Sequence, residues 1–109
     1  MDLTAKKCIP CEGGVAKLTD EQMLPFCAQL PDWKVSASRK LERRFEFPDF
    51  LTAMAFINRM ATLAEAEAHH PDFAVQYSIV DVAVWTHAIG GLSENDFILA
   101  AKIDQLPRE

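Results

Sequence analysis

The sequence predicts an α+β domain, a four-stranded antiparallel sheet with three helices on one face, in the order α-β-β-α-β-β-α. Three observations lead there. Residues 41–47 and 73–87 alternate apolar and polar side chains with the period of two that a half-buried strand requires. Between them, Phe50, Met54, Ile57 and Ala61 recur at helical spacing. Capping residues at Thr19 and Ser93 open a further helix on either side of this middle. A sheet with one apolar face must bury it, and helices laid across that face are the compact way to do so.

The domain is expected to span residues 18–109, preceded by an arm at 1–17 that carries Pro10 and Gly13-Gly14 without periodicity and is ordered only if something holds it. Thr19-Asp20-Glu21-Gln22 reads as a capping box, with Leu18 placed to staple onto Met23, so a first helix runs to about Gln29 and ends at Leu30-Pro31-Asp32. Trp33-Lys34-Val35 opens a strand. In the next strand, Leu41, Arg43, Phe45 and Phe47 alternate with Lys40, Glu42, Arg44 and Glu46, whose charged face should meet water. A long central helix follows Pro48-Asp49. Because proline disfavours the α conformation in the residue before it, Pro71 should stop this helix at or near His70, with His69 and His70 at its C-terminal end. Phe73, Val75, Tyr77 and Ile79 alternate as a third strand. Val80, Val82, Val84 and Thr86 form one face of a fourth, whose other face carries Asp81, Ala83, Trp85 and His87. The turn between these two strands has no strong residue signal. Gly90-Gly91 breaks the chain, and Ser93 caps a last helix to about Leu106.

Composition narrows the function. The chain has 109 residues, half of them apolar and a quarter charged, which fits one globular domain with one core. No apolar run approaches the ~20 residues of a membrane span. A net charge of −5 opposes binding to a phosphate backbone, whose affinity comes mainly from Lys and Arg, so no direct nucleic-acid partner is expected. Met1-Asp2-Leu3-Thr4 begins no secretory signal, and with Cys8, Cys11 and Cys27 alone a reduced, cytoplasmic compartment is the expectation.

The chemistry lies in three histidines. An unperturbed imidazole titrates near pH ~6.5, so a site that gathers several can donate and accept protons at neutral pH. His69 and His70 are adjacent, and neighbouring helical positions point about 100° apart, so the two rings should have different tasks. Glu65, four residues before His69, shares its helical face and could hydrogen-bond that imidazole or a ligand's N–H. The plainer alternative is that both histidines merely end the helix, where cations gain about 0.3–1 kcal/mol from the macrodipole. Asp96, three residues after Ser93, is read equally as a helix-stabilising acid and as a site residue. Trp33 and Phe73 read as core. No metal is expected: helical zinc pairs sit at i and i+4, and Cys8-x-x-Cys11 has no second pair to complete four ligands. A redox role for it lacks a βαβ context.

The pattern Glu65-x-x-x-His69-His70-Pro71-x-Phe73, followed by Thr86-His87 and Gly90-Gly91-Leu92-Ser93-Glu94-x-Asp96, resembles the pterin-4a-carbinolamine dehydratases from about Leu18 to Leu106. The resemblance implies His69, His70 and His87 as catalytic residues around a pterin, with Glu65, Pro71, Phe73, Trp33, Thr86 and Asp96 on the substrate side and no cofactor. It implies dehydration of 4a-hydroxytetrahydropterin to quinonoid dihydropterin, recycling tetrahydrobiopterin for an aromatic amino-acid hydroxylase. His69 and His87 would share the acid and base roles, His70 would orient substrate, and Glu65 and Asp96 would support them. It further implies an open sheet face, a homodimer or homotetramer, and, as the alternative function, a dimerisation cofactor that binds a protein partner such as a transcription factor. The family commonly has Trp where this chain has Phe73, and a small polar residue where it has Trp85, an exchange that could reshape the pocket rim.

Overall fold

The computed structural model describes residues 3–8, 17–37 and 39–108. Helix α1 (Asp20–Gln29) is followed by strands β1 (Lys34–Val35) and β2 (Leu41–Glu46), the long helix α2 (Phe50–Glu67), strands β3 (Asp72–Gln76) and β4 (Ile79–Val84), and helix α3 (Glu94–Asp104). This is the expected α-β-β-α-β-β-α order. The strands form one antiparallel sheet in the order β1-β2-β4-β3.

Local chemistry explains where the helices begin. Thr19 Oγ1 accepts the Gln22 N–H at 3.2 Å and Gln22 Oε1 accepts the Thr19 N–H at 2.9 Å, so two otherwise orphaned donors of α1 are satisfied together. Asp49 caps α2, accepting from the Thr52 N–H at 2.8 Å.

Two boundaries depart from expectation. Helix α2 ends at Glu67 rather than near His70, because Ala68 adopts the left-handed conformation at φ 53° and ψ 36°. Its N–H and that of His69 turn back to Ala64 and Glu65 carbonyls, closing a Schellman-type cap two residues before the proline could act. Tyr77 and Ile79, expected in the third strand, are not: Tyr77 takes a φ of 56° in a two-residue turn with Ser78, and Ile79 opens β4 opposite Gln76. A non-glycine residue at positive φ carries no turn signature in sequence.

Register then decides the layers. Leu41 faces Val84, Phe45 faces Val80 and Val75 also faces Val80, so one side of the sheet is apolar and meets the helices. Phe56, Met60, Phe97, Leu99 and Ile103 are buried against it, Phe45 and Phe47 both touching the Phe56 ring. Arg43 lies on this same side and is accommodated by Asp104, at 2.7 Å. The opposite face carries Glu42, Arg44 and Asp81, and Arg44 pairs with Asp81 across β2 and β4 at 2.8 Å. Strand β3 is an edge, with Phe73 and Tyr77 exposed beside it.

Part of the expected arm is held. Leu3 is buried in the core cluster, Lys6 pairs with Glu94, and the Cys8 N–H donates to Glu67 Oε1 at 2.9 Å. Pro10, Cys11 and Gly13-Gly14 lie outside the described residues. Among the described residues no helix is long and apolar enough to cross a membrane.

Candidate active site

The left-handed cap at Ala68 throws the chain off the axis of α2 and leaves His69 and His70 beyond the helix. Separately, β4 ends at Val84, and a short 3-10 turn at His87–Ile89 closes on Gly90, whose φ of 61° suits glycine. The Thr86 N–H donates to the Gly91 carbonyl at 2.9 Å, which closes this loop beside the start of α3. Segments 18 residues apart in sequence thereby meet. A cavity of about 210 Å³ is lined by Ala68, His69, His70, Thr86, His87 and Ala88, so all three imidazoles border one space.

Each ring has a different environment. His69 is buried, and its Nε2 lies 2.6 Å from Oδ1 of Asp96, which is fully buried at the third position of α3. Asp96 Oδ2 also accepts from the Ser93 N–H and the Thr86 hydroxyl, both at 2.8 Å, and Thr86 Oγ1 lies 2.9 Å from the Ser93 hydroxyl. A carboxylate only accepts, so Nε2 carries the proton and Asp96 fixes tautomer and ring orientation together. Asp96 satisfies the helix start and also grips an imidazole.

His70 is exposed, its Nε2 2.9 Å from Glu65 Oε1. This corrects the expected pairing of Glu65 with His69. The i, i+4 geometry holds only inside a helix, and the turn at Ala68 rotates His69 inward and His70 into the position facing Glu65. His87 is more than half exposed and lies against the Trp85 indole, with ring centroids 4.0 Å apart.

Not every expected residue lines this cavity. Trp33 is buried near the far end of α3, donating its Nε1–H to Asp104 Oδ1 at 2.9 Å and meeting Phe45 edge-on, as a core residue does. Phe73 sits on the exposed edge strand and borders a second, larger groove of about 690 Å³ over the sheet, together with Lys34, Glu42, Arg44, Asp72 and Asp81. Pro71 bridges the two regions between His70 and Asp72.

Two acids escaped the sequence reading. Asp72 Oδ2 accepts the Trp85 Nε1–H at 2.9 Å and lies 4.0 Å from His87 Nε2. Its place just after Pro71, at the start of a strand, was the available signal. Glu67 is buried and accepts from the Cys8 N–H at 2.9 Å and from Lys102 Nζ at 2.8 Å. Burial alone pushes its carboxyl up, but these donors outweigh that and hold it below the ordinary carboxylate value. No local pattern announces an ion pair that spans 35 residues. Burial pushes the Cys27 thiol up, away from the thiolate that a nucleophile needs. Among the described residues no three His, Cys, Asp or Glu side chains are gathered as a metal site would gather them.

Comparisons with known proteins bear on the same region. The family model described as pterin 4 alpha carbinolamine dehydratase matches residues 16–106. A protein of Halorhodospira halophila, provisionally named a pterin-4-alpha-carbinolamine dehydratase, is 48% identical over 107 residues, covering 97% of this chain and 98% of its own. A Rubrobacter xylanophilus protein with the same provisional name is 43% identical over 105 residues, covering 96% and 98%. Among solved structures, a transcriptional coactivator/pterin dehydratase from Brucella melitensis superposes with a TM-score of 0.77 at 34% identity, over 82% of this chain and 96% of that one. A pterin dehydratase-like RuBisCO assembly factor of the α-carboxysome shares the fold, with a TM-score of 0.59 at 24% identity over 67% and 86%.

Proposed function

Because the chain belongs to the pterin-4a-carbinolamine dehydratase family, we propose that it is a hydro-lyase that converts 4a-hydroxytetrahydropterin to quinonoid dihydropterin by histidine general acid/base catalysis. The observation that carries this reading is the meeting of three imidazoles around one cavity, one of them buried and oriented by a carboxylate.

Loss of water from the carbinolamine requires a proton delivered to the departing 4a oxygen and a base for the proton on N5. His69 and His87 approach the cavity from different segments and divide these tasks between them. Since His69 Nε2 is committed to Asp96, proton transfer at this ring falls to Nδ1. Asp96 stabilises whichever imidazole charge develops, as the buried acid of a catalytic triad does, without itself taking the proton. His70, tethered to Glu65 at the exposed side, orients the ring system and presents polar groups to its N–H edge. Glu65 therefore works through His70. A cavity of about 210 Å³ is smaller than the ~300–1,000 Å³ of ordinary small-molecule sites, which suits a compact bicycle whose substituent remains outside.

In this role the protein delivers quinonoid dihydropterin to a separate reductase, which returns it to the tetrahydro form used by an aromatic amino-acid hydroxylase, in the cytoplasm and as a homo-oligomer. Binding of a protein partner is a compatible second reading, favoured by the exposed Phe73 and Tyr77 along an unpaired edge strand. The direct test is dehydration of chemically generated 4a-hydroxytetrahydrobiopterin, followed by its ultraviolet absorbance. Acceleration proportional to enzyme concentration supports the hydro-lyase reading; a rate equal to the spontaneous one overturns it.

A further inference from the structure

His87 has no burial to hold it, since 57% of its side chain is open to solvent. It is nonetheless placed. Trp85 and His87 are two residues apart at the end of an extended segment and project to the same side, so the indole lies beside the imidazole, centroids 4.0 Å apart and planes inclined by 49°. The indole is fixed in turn. Its Nε1–H donates to Asp72 Oδ2 at 2.9 Å, and Lys40 Nζ sits 5.0 Å from its ring centroid. Asp72 pairs with Ala83 in the β3–β4 register, which sets its carboxylate diagonal to Trp85. The same Oδ2 lies 4.0 Å from His87 Nε2. One carboxylate oxygen thus addresses both rings.

Resting on the dehydratase reading, we propose that Trp85, anchored by Asp72, is a positioning residue that holds the His87 imidazole at the mouth of the cavity. Neither Trp85 nor Asp72 lines that cavity. They act through His87, and they do for an exposed ring what Asp96 does for the buried His69. An exposed imidazole without such a neighbour samples several rotamers, and only the fraction aimed at the substrate can transfer a proton. Fixing the ring therefore raises turnover while leaving ground-state binding nearly untouched.

The test combines steady-state kinetics with proton–carbon NMR of the histidine rings in wild type, Trp85→Ala, Trp85→Phe and Asp72→Ala. In the wild type, the indole's ring current displaces the His87 Cε1–H and Cδ2–H signals from those of a free histidine. Trp85→Ala is expected to return them to free values and lower kcat by roughly ten- to a hundredfold with little change in KM. Trp85→Phe, which keeps an aromatic face but loses the N–H, is expected to fall between, and Asp72→Ala to broaden the displaced signals. Trp85 is partly buried and packs against the core cluster, so unchanged His69 signals are required to verify the fold of its variants. An active wild type whose Trp85→Ala variant keeps its kcat, or keeps the displaced His87 signals, overturns this assignment alone. A wild type without turnover overturns the dehydratase reading and the assignment with it.

Discussion

At the scale of single residues, the site is a contest over where each imidazole proton goes, and Asp96 decides the buried half. It accepts from His69, Thr86 and the Ser93 N–H, so no lone pair facing these groups is spare. Asp96→Asn replaces one oxygen with a donor that must oppose Thr86 and Ser93 or His69. The expected result is a stability loss of about 1–3 kcal/mol by urea denaturation, accompanied by a fall in dehydration kcat rather than a rise in KM. A variant with wild-type kcat would show that the ring needs no fixed tautomer. The histidines were legible in sequence because their doubling before Pro71 is local. The contact between His69 and Asp96 was not, since it spans 27 residues and depends on how two elements dock. Glu65 shows the same limit at short range: its partner changed from His69 to His70 because one intervening residue left the helix.

That residue, Ala68, belongs to the scale of the element. Left-handed backbone costs a non-glycine residue about 1–2 kcal/mol, while glycine's greater freedom in the unfolded chain returns part of the gain. Ala68→Gly is therefore expected to raise the unfolding free energy by roughly 0.5 kcal/mol and to leave His69 in place, as thermal denaturation and the histidine NMR spectrum would show. A loss of stability would mean that the cap is not strained. The caps at Thr19 and Ser93 were readable because side chains supply the hydrogen bonds, the Thr19 hydroxyl accepting the Gln22 N–H and the Asp96 carboxylate accepting the Ser93 N–H. Ends made by backbone alone, at Ala68 and Tyr77, were not: alanine and tyrosine adopt positive φ only under tertiary pressure. For this reason the order of elements followed from periodicity while two of their boundaries did not.

At the scale of the whole molecule, Glu67 ties the N-terminal segment and α3 to the end of α2, beside the histidines. Its carboxyl is held below the ordinary value of 4.5, so between the folded and unfolded values the unfolded chain binds more protons. The stabilisation is therefore complete above the unfolded value and is lost as pH falls through the folded one. Asp49, held low by its bonds to Thr52, loses its contribution in the same direction below its ordinary 3.8. Glu67→Gln is expected to cost about 1–3 kcal/mol at neutral pH, and the gap from wild type should close in acid, which melting temperatures measured from pH 7 to pH 3 would reveal. A gap that is constant with pH would assign the cost to packing instead. The candidate cavity is likewise a property of the whole fold, because His69 and His70 follow α2, His87 follows β4, and Asp96 sits on α3. The most direct measurement is the dehydration rate of 4a-hydroxytetrahydropterin with wild type, His69→Ala and His87→Ala. Each single substitution should lower kcat by roughly 10²–10⁴-fold; near-wild-type rates in both variants would contradict proton transfer by these rings.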